Sequence, residues 1–246
     1  MKLRTLTAAV ATLGLAAVTP LAASAAGPAP DPSWAPPTKA AEADIDGTCH
    51  LWVPTRVAID RPYRTLFGSV SGRCKSPESA SGWVLRHPSL GGVNQIVFDV
   101  NYPTGDGRWR VPDTHAIGYQ VFRGLGSYNE DQEEDSVNVQ NQVGVTVKLA
   151  ARAWIASSRT GDVVTLKGTS LLYSTSANTY FKRSAPGAFQ FRERGSTVWR
   201  TLKAGVRTNG KGEVQLSYRY SKLRDYRFVL YSTPISWDAG SAVTIR

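Results

Sequence analysis

The stretch Glu213-Val-Gln-Leu-Ser-Tyr-Arg-Tyr220 alternates between polar and apolar side chains over its whole length. A period of two places successive side chains on opposite faces of a β-strand, so this stretch predicts a strand with one buried face. The turn before it, Asn209-Gly-Lys-Gly212, is typical of a β-hairpin, because Asn-Gly tolerates the positive φ angles that tight hairpin turns require. The last part of the chain is therefore predicted to consist of strands.

The same alternation continues outward along the chain. Ala188-Phe-Gln-Phe-Arg192 places its two Phe on one face, and Asp225-Tyr-Arg-Phe-Val-Leu-Tyr231 repeats the pattern. Towards the N-terminus, shorter runs such as Gln95–Val100 and Gly118–Phe122 are separated by turn-forming Gly and Pro. No segment keeps a sustained apolar period of 3.6 residues. These patterns predict an all-β protein of the sandwich or barrel type.

The N-terminal residues predict an export signal followed by a linker. Residues 1–26 have a basic start, an apolar run from Leu6 to Val18 and the small-x-small pattern Ala23-Ser-Ala25, which together are typical of a secretory signal peptide. Residues 27–44 hold five prolines and predict a disordered Pro- and Ala-rich linker. We therefore predict a secreted, extracellular protein without a transmembrane anchor.

The sequence has two cysteines, Cys49 and Cys74, and both follow the predicted signal peptide. In an oxidising compartment they predict a disulfide, which contributes about 3 kcal/mol for a loop of this length. A metal pair and a catalytic thiol are the alternatives. His50 is the further ligand nearby, whereas a zinc site needs four ligands.

Charge is divided unevenly along the chain, whose 29 Lys and Arg against 19 Asp and Glu give a net charge of +10. Residues 146–246 hold 17 basic and 5 acidic residues, a net charge of +12, whereas residues 27–145 hold 10 basic and 14 acidic residues, a net charge of −4. Because the ordered length suits two domains of common size, we predict an acidic β-sandwich domain with the disulfide at 45–145 and a basic β-sandwich domain at 146–246.

The basic domain is expected to attract polyanions, because its field extends over a Debye length of about 8 Å at physiological salt. The predicted partner is an anionic cell-envelope polymer or an extracellular polysaccharide, with a protein partner as an alternative. Specific nucleic-acid binding is not expected, because no recognition helix or basic arm is present in the sequence. Strand alternation turns four candidate contact residues away from the predicted core: Arg192, Arg194, Arg219 and Arg227.

The sequence lacks a catalytic pattern. The three histidines, His50, His87 and His115, have no metal-ligand partner at a recognised spacing. Gly68-Ser-Val-Ser-Gly72 has the outline of a nucleophile elbow, but its central residue is valine. We therefore expect a non-enzymatic protein without a cofactor. An extracellular hydrolase is the alternative, and it requires a concave carboxylate or histidine site.

An acidic stretch gives one candidate calcium site, formed by Glu130, Asp131, Glu133, Glu134 and Asp135. Such a cluster can bind Ca²⁺, which prefers oxygen ligands, although it lacks the spacing and the glycine of an EF-hand loop. A calcium-stabilised extracellular structural protein is therefore the second functional hypothesis. A solvated loop and a loop that contacts the basic domain are the alternatives.

The second half also resembles a known class of module. The segments that carry the resemblance are Val164–Gly168, Phe189–Arg192, Trp199–Leu202, Thr208–Gly212 and the pair Tyr226-Arg227. In this order they resemble the immunoglobulin-like modules of secreted actinobacterial proteins, and the first half resembles, more weakly, the N-terminal partner domain of such proteins. The resemblance implies two immunoglobulin-like antiparallel β-sandwich domains and an extracellular binding or interaction role. It transfers no catalytic residue.

Overall fold

The computed structural model of the chain describes residues 45–75, 79–129 and 136–246. The regular structure of these residues consists of β-strands and one short 3-10 turn, without an α-helix among them. The predicted all-β class is therefore confirmed. No helix in these ranges is long and apolar enough to cross a membrane. The predicted signal peptide at 1–26 and linker at 27–44 lie outside the described residues and stay predictions.

Ten strands and the 3-10 turn Arg73–Lys75 make up the described part of the first half. The strands are β1 (Ile45–Trp52), β2 (Arg56–Ile59), β3 (Tyr63–Phe67), β4 (Ser69–Gly72), β5 (Ser79–His87), β6 (Gly91–Phe98), β7 (Arg108–Pro112), β8 (Gly118–Asn129), β9 (Ser136–Gln140) and β10 (Val143–Leu149). Eight of them form one sheet in the order β2-β10-β8-β9-β1-β4, in which β5 pairs with both β8 and β6. β3 and β7 form a separate ribbon.

Antiparallel pairing dominates this sheet, but β1 with β9 and β2 with β10 are parallel pairs. In both pairs the partners are far apart in sequence, so no tight turn fixes their relative direction. Side-chain alternation is the same in parallel and antiparallel strands. The sequence pattern therefore could not separate the two directions.

The core of the first half contains the predicted disulfide, which the structure confirms between Cys49 in β1 and Cys74 in the 3-10 turn. Both cysteines are buried, and Ser127 Oγ lies within hydrogen-bond distance of both sulfur atoms, at 3.2 and 3.0 Å. Trp109 packs edge-to-face on Phe122 at a centroid distance of 5.1 Å, and both side chains are fully buried. The disulfide and these rings belong to one hydrophobic cluster.

Nine strands make up the second half. They are β11 (Ala151–Thr160), β12 (Val163–Ser174), β13 (Thr179–Lys182), β14 (Pro186–Glu193), β15 (Arg200–Arg207), β16 (Glu213–Arg219), β17 (Arg224–Leu230), β18 (Ala239–Gly240) and β19 (Thr244–Ile245). One sheet has β12 at its centre, with β11 on one side and β13 and β16 on the other. The second sheet has the order β15-β14-β17, and β18 and β19 pair with β17.

The two sheets of the second half share one buried cluster, which makes this half a β-sandwich. Leu166 enters the cluster from β12, and Phe189 and Phe228 enter it from β14 and β17. The Phe228 ring lies on the backbone of Gly168, where a Cβ would stand 2.8 Å from the ring. Because Gly168 carries no side chain, β12 and β17 can approach this closely.

The turn Asn209–Gly212 connects the two sheets and does not form a hairpin, so that prediction is wrong. β15, before the turn, pairs with β14, whereas β16, after it, pairs with β12 in the opposite sheet. The Asn209 side-chain oxygen accepts hydrogen bonds from the backbone N–H groups of Lys211 and Glu213 at 2.9 and 3.0 Å. Asn-Gly thus indicates a change of chain direction here, and it does not indicate which strand each arm pairs with.

The predicted boundary between residues 145 and 146 falls inside β10. Val145 and Val147 of this strand both belong to the first core cluster, which continues to Ala150, whereas Ala153 belongs to the second. The predicted boundary follows the change of charge along the sequence, and charge does not report where the buried side of a strand packs. The change of core therefore lies about five residues later along the chain, and the division into two domains stays a prediction.

Residues 231–238, which we name the return segment, run back from β17 and bind to the first half. The Ile235 carbonyl accepts the N–H of Leu149 at 2.9 Å, and the Trp237 N–H donates to the Leu149 carbonyl at 3.0 Å. The Trp237 indole N–H donates to the Val57 carbonyl at 2.7 Å. These bonds attach the return segment to β10 and β2.

Replacing Gly168 by alanine is expected to destabilise the protein by about 1–3 kcal/mol, because the added methyl group must displace the Phe228 ring or separate the sheets. Gly210→Ala is the matched control, since a Cβ there meets nothing within 4 Å. Chemical denaturation followed by tryptophan fluorescence measures both variants. Equal stability of the two would contradict the role given to this contact.

Candidate functional site

Two of the four predicted contact arginines bind a buried carboxylate. Asp225 in β17 lies opposite Arg192 of β14, and its side chain is 7% exposed. Arg192 Nε donates to one carboxylate oxygen and Arg194 Nη1 to the other, both at 2.8 Å. The hydrogen bonds from Arg194 and Arg192 hold the pKa of the Asp225 carboxyl below its usual value. These two arginines therefore share a partner within the protein.

Arg227, the third predicted arginine, is also held by neighbours on the sheet. Its Nε donates to Gln190 Oε1 at 2.7 Å. The Trp199 ring lies against both Arg227 and Arg192, whose guanidinium carbons are 4.2 and 4.8 Å from the ring centre. Cation–π contacts at such distances are attractive. These side chains therefore stabilise the outer face of the β14–β17 sheet.

Arg219, the fourth predicted arginine, lies at the end of β16 and is exposed. It forms no ion pair with a described residue. β16 belongs to the sheet of β12, whereas Arg192 and Arg227 belong to the opposite sheet. The structure therefore does not bring the four predicted residues together in one patch.

Sequence reasoning missed a second group of cations, Arg183, Lys203, Arg207 and Lys211, which we name the basic edge. Lys203 and Arg207 lie on β15, the edge strand of its sheet, and all four side chains are exposed. None of them forms an ion pair with a residue that the structure describes. The sequence signal that could have identified most of this group is the stretch 194–212, which contains five cations and no carboxylate.

Two buried hydroxyl groups hold the segments of the basic edge together. Ser170 Oγ and Thr208 Oγ1 are 2.7 Å apart, and both residues are buried. The Ser170 N–H donates to the Gly212 carbonyl at 2.8 Å, and the Ser170 carbonyl accepts the N–H of Arg183 at 3.3 Å. Thr208 Oγ1 also donates to the Arg183 carbonyl at 3.2 Å. Arg183 is thus fixed beside the turn that follows β15.

The carboxylates of the second half are placed away from the basic edge or bound to other cations. Glu213, directly after the turn, binds Lys182 at 2.8 Å and Lys167 at 2.9 Å. These two contacts lower the pKa of Glu213 to about 2. Three other carboxylates of this half form ion pairs: Glu193 with Arg224, Asp225 with Arg192 and Arg194, and Asp238 with Arg56. Asp162 lies directly before β12, at the end of that strand away from Ser170.

The histidines considered as catalytic candidates differ in their surroundings. His115 is buried, its Nε2 lies 3.0 Å from Gln120 Oε1, and burial lowers its pKa. His87 Nδ1 accepts the N–H of Ser89 at 3.2 Å, and His50 is exposed on β1.

Among the described residues, no group of three or more His, Cys, Asp or Glu could hold a metal ion. The calcium hypothesis stays a prediction, because its candidate residues lie outside the described residues. They are Glu130, Asp131, Glu133, Glu134 and Asp135.

A cavity of about 390 Å³ lies beside the basic edge. It is open to solvent on one side and lined by the ends of β12 and β17, the chain around Arg183 and the return segment. Its apolar lining includes Leu172, Leu230 and Ile235, and its charged lining residues are Arg183 and Arg207. Its lining residues include no His, Asp or Glu. No sequence pattern indicated this cavity, because its walls come from several segments that only the fold brings together.

Comparisons with known proteins give no family for this chain. No protein-family model matches it, and no curated protein matches it. Similar solved structures include red sea bream transglutaminase, with 10% identity over 80% of this chain and 30% of that chain and a TM-score of 0.37. They also include the D0-D1 domain of intimin (11% identity, 80% and 96% coverage, TM-score 0.24) and the FN1-FN3 domains of chicken CNTN1 (7% identity, 83% and 67% coverage, TM-score 0.30).

This chain thus spans less than a third of the length of the transglutaminase that it matches. Each of these TM-scores is below 0.5, so the likenesses assign neither a family nor an activity. The β-sandwich assignment rests on the strand pairing of the chain itself.

Replacing Asp225 by asparagine is expected to destabilise the protein by about 1.5–3 kcal/mol at pH 7, because two arginines lose their charged acceptor. The low folded-state pKa of Asp225 contributes stability above the unfolded pKa of about 3.9, and that contribution is lost as the pH falls through the folded pKa. The difference between the wild type and Asp225→Asn is therefore expected to shrink below about pH 4.

Urea denaturation at pH 7 and pH 3 measures this difference. Asp162→Asn is the matched control, because the exposed Asp162 side chain forms no ion pair with a described residue. A difference of the same size at both pH values would contradict an ionised, arginine-bound Asp225. Equal stability of Asp225→Asn and Asp162→Asn at pH 7 would contradict it as well.

Proposed function

We propose that this protein is a secreted, non-enzymatic binding module that attaches to an anionic polymer of a cell envelope or of the extracellular surroundings. The predicted signal peptide at 1–26 and the disulfide are the reasons for placing it outside the cell. The observation that carries the binding role is the basic edge, whose four exposed cations have no carboxylate partner among the described residues. This edge takes the place of the four arginines that strand alternation suggested.

The charge balance of residues 146–246 supports attraction of a polymer over a small anion. With 17 cations and five carboxylates in this half, pairing within the protein leaves most cations without a counter-charge. Exposed cations along one edge act together on a partner that carries many charges, and this attraction weakens as salt rises. A polyanion can contact Lys203, Arg207 and Lys211 in succession along β15 and the turn after it.

Protection of an edge strand is the simpler explanation for part of this charge. Lysine and arginine on an edge strand oppose pairing with another molecule, which accounts for Lys203 and Arg207 on β15. It does not account for Arg183 and Lys211, which lie outside that strand. The basic edge therefore extends beyond what edge protection needs.

The two alternative functions gain no support from the described residues. The calcium hypothesis depends on Glu130–Asp135, which are outside them. The hydrolase hypothesis needs a concave site with a carboxylate or a histidine, and the cavity beside the basic edge is lined by neither.

The double variant Lys203→Gln/Lys211→Gln tests the proposal in the mature chain. We expect weaker binding to linear inorganic polyphosphate, with the slope of log binding constant against log salt reduced by about one for each contact removed. Binding is measured at several salt concentrations, and sedimentation with isolated bacterial cell envelope gives a second readout.

The matched control is Arg61→Gln/Arg108→Gln, which removes the same charge from the first half, where these arginines pair with Asp60 and Asp106. It is expected to retain most of the wild-type binding. Equal losses in the two double variants would show that net charge alone acts, and unchanged binding in Lys203→Gln/Lys211→Gln would contradict the basic edge as the attachment surface.

A further inference from the structure

We infer that the cavity beside the basic edge binds a small amphiphilic oxyanion, with an apolar body inside the cavity and a carboxylate or similar head group at Arg183 and Arg207. This inference goes beyond attachment to a polymer, because it concerns a concave site, which shares Arg183 and Arg207 with the basic edge, and a different class of ligand.

The size of the cavity suits a ligand of this kind. At about 30 Å³ for each water-sized group, its volume of about 390 Å³ accommodates a molecule of about a dozen non-hydrogen atoms. Ligand sites in proteins commonly begin at about 300 Å³ and are largely apolar with a few polar groups. The cavity therefore lies at the small end of that range.

The walls of the cavity favour an apolar body. Leu172 and Leu230 come from the ends of β12 and β17, and Leu230 is almost fully buried. Tyr231 and Ile235 line it from the return segment, and their side chains are 40% and 53% exposed. A bound hydrocarbon or aromatic group would cover apolar surface that water now contacts, which is favourable.

The return segment forms a wall that is already ordered by hydrogen bonds. The Thr233 N–H donates to the Ser236 carbonyl at 2.9 Å, and Lys148 Nζ donates to Ser232 Oγ at the same distance. The backbone bonds of Ile235 and Trp237 to Leu149 hold the segment from the other side. A preformed wall lowers the ordering cost of binding.

The charge of the cavity selects the head group. Arg183 and Arg207 are exposed, form no ion pair with a described residue, and share the lining with no carboxylate. A guanidinium group presents paired N–H donors that match the oxygen atoms of carboxylate, sulfate or phosphate. Two such groups beside an apolar cavity complement an anion with an apolar tail, and they give no advantage to a neutral molecule of the same shape.

Decanoate, decyl sulfate, decanol and acetate are suitable probes, used below the concentrations at which they aggregate. Isothermal titration calorimetry measures their affinities for the mature protein, and the methyl chemical shifts of Leu172, Leu230 and Ile235 identify the site. We expect decanoate to bind at least about tenfold more tightly than decanol, which lacks the charge, and than acetate, which lacks the tail. Decyl sulfate separates the head groups: binding of only one of the two anions identifies which oxyanion the arginines accept.

Arg183→Gln and Arg207→Gln are each expected to weaken decanoate binding by about tenfold and to leave decanol binding unchanged. Lys203→Gln is the matched control, because Lys203 belongs to the basic edge but does not line the cavity. Ser184→Trp places a large side chain at an exposed lining position and is expected to abolish decanoate binding, with thermal unfolding as the test of its fold.

Equal affinities for decanoate and decanol, or methyl shifts confined to other residues, would overturn the inference. The two proposals fail separately. Ser184→Trp is expected to block decanoate and keep polyphosphate binding, whereas Lys203→Gln/Lys211→Gln is expected to do the opposite.

Discussion

The second half of the molecule depends on one close contact, in which the Phe228 ring of β17 lies on the backbone of Gly168 in β12. This contact joins the two sheets at the centre of their shared core. β17 then places Asp225 towards one end and Leu230 at the other, and β12 continues beyond Gly168 to Ser170 and Leu172. The bound arginines, the basic edge and the cavity therefore all have positions that follow from how these two strands pack.

A second constraint is the shortage of carboxylates in this half, and the fold uses the few present for structure. Asp225 is buried and fixes Arg192 and Arg194, while Glu213 joins Lys167 of β12 to Lys182 of β13. These ion pairs connect neighbouring strands within each sheet. The cations of the basic edge lie on β15 and on the chain around Thr208, and none of them forms an ion pair with a described residue. Their position, more than the net charge of the half, is what suits them to a polyanion.

The sequence predicted those features that depend on local pattern. Alternation correctly indicated β14, β16 and β17, and the two cysteines correctly indicated the disulfide. The sequence did not predict the pairing of strands equally well. The turn at Asn209–Gly212 has the residues typical of a hairpin, and yet the strands on its two sides belong to opposite sheets. Local turn residues fix a bend, whereas the core decides which strand lies next to which.

The candidate site was harder to predict for the same reason. Arg192 lies opposite Asp225, a partner 33 residues away in sequence, and no spacing rule connects them. Alternation therefore placed Arg192 and Arg227 away from the core but could not show that their guanidinium groups have partners. Predicting the cavity from the sequence would need still more tertiary information, because the return segment, which lines it, is held in place by hydrogen bonds to Leu149 in the other half.

The most direct test of the basic edge as the attachment surface is the acetylation rate of individual lysines in the mature protein, measured by mass spectrometry with and without saturating polyphosphate at low salt. If the basic edge binds the polymer, Lys203 and Lys211 are strongly protected, while Lys75, an exposed lysine of the first half, keeps its rate. Equal protection of Lys75, or unchanged rates at Lys203 and Lys211 while the polymer is bound, would contradict it.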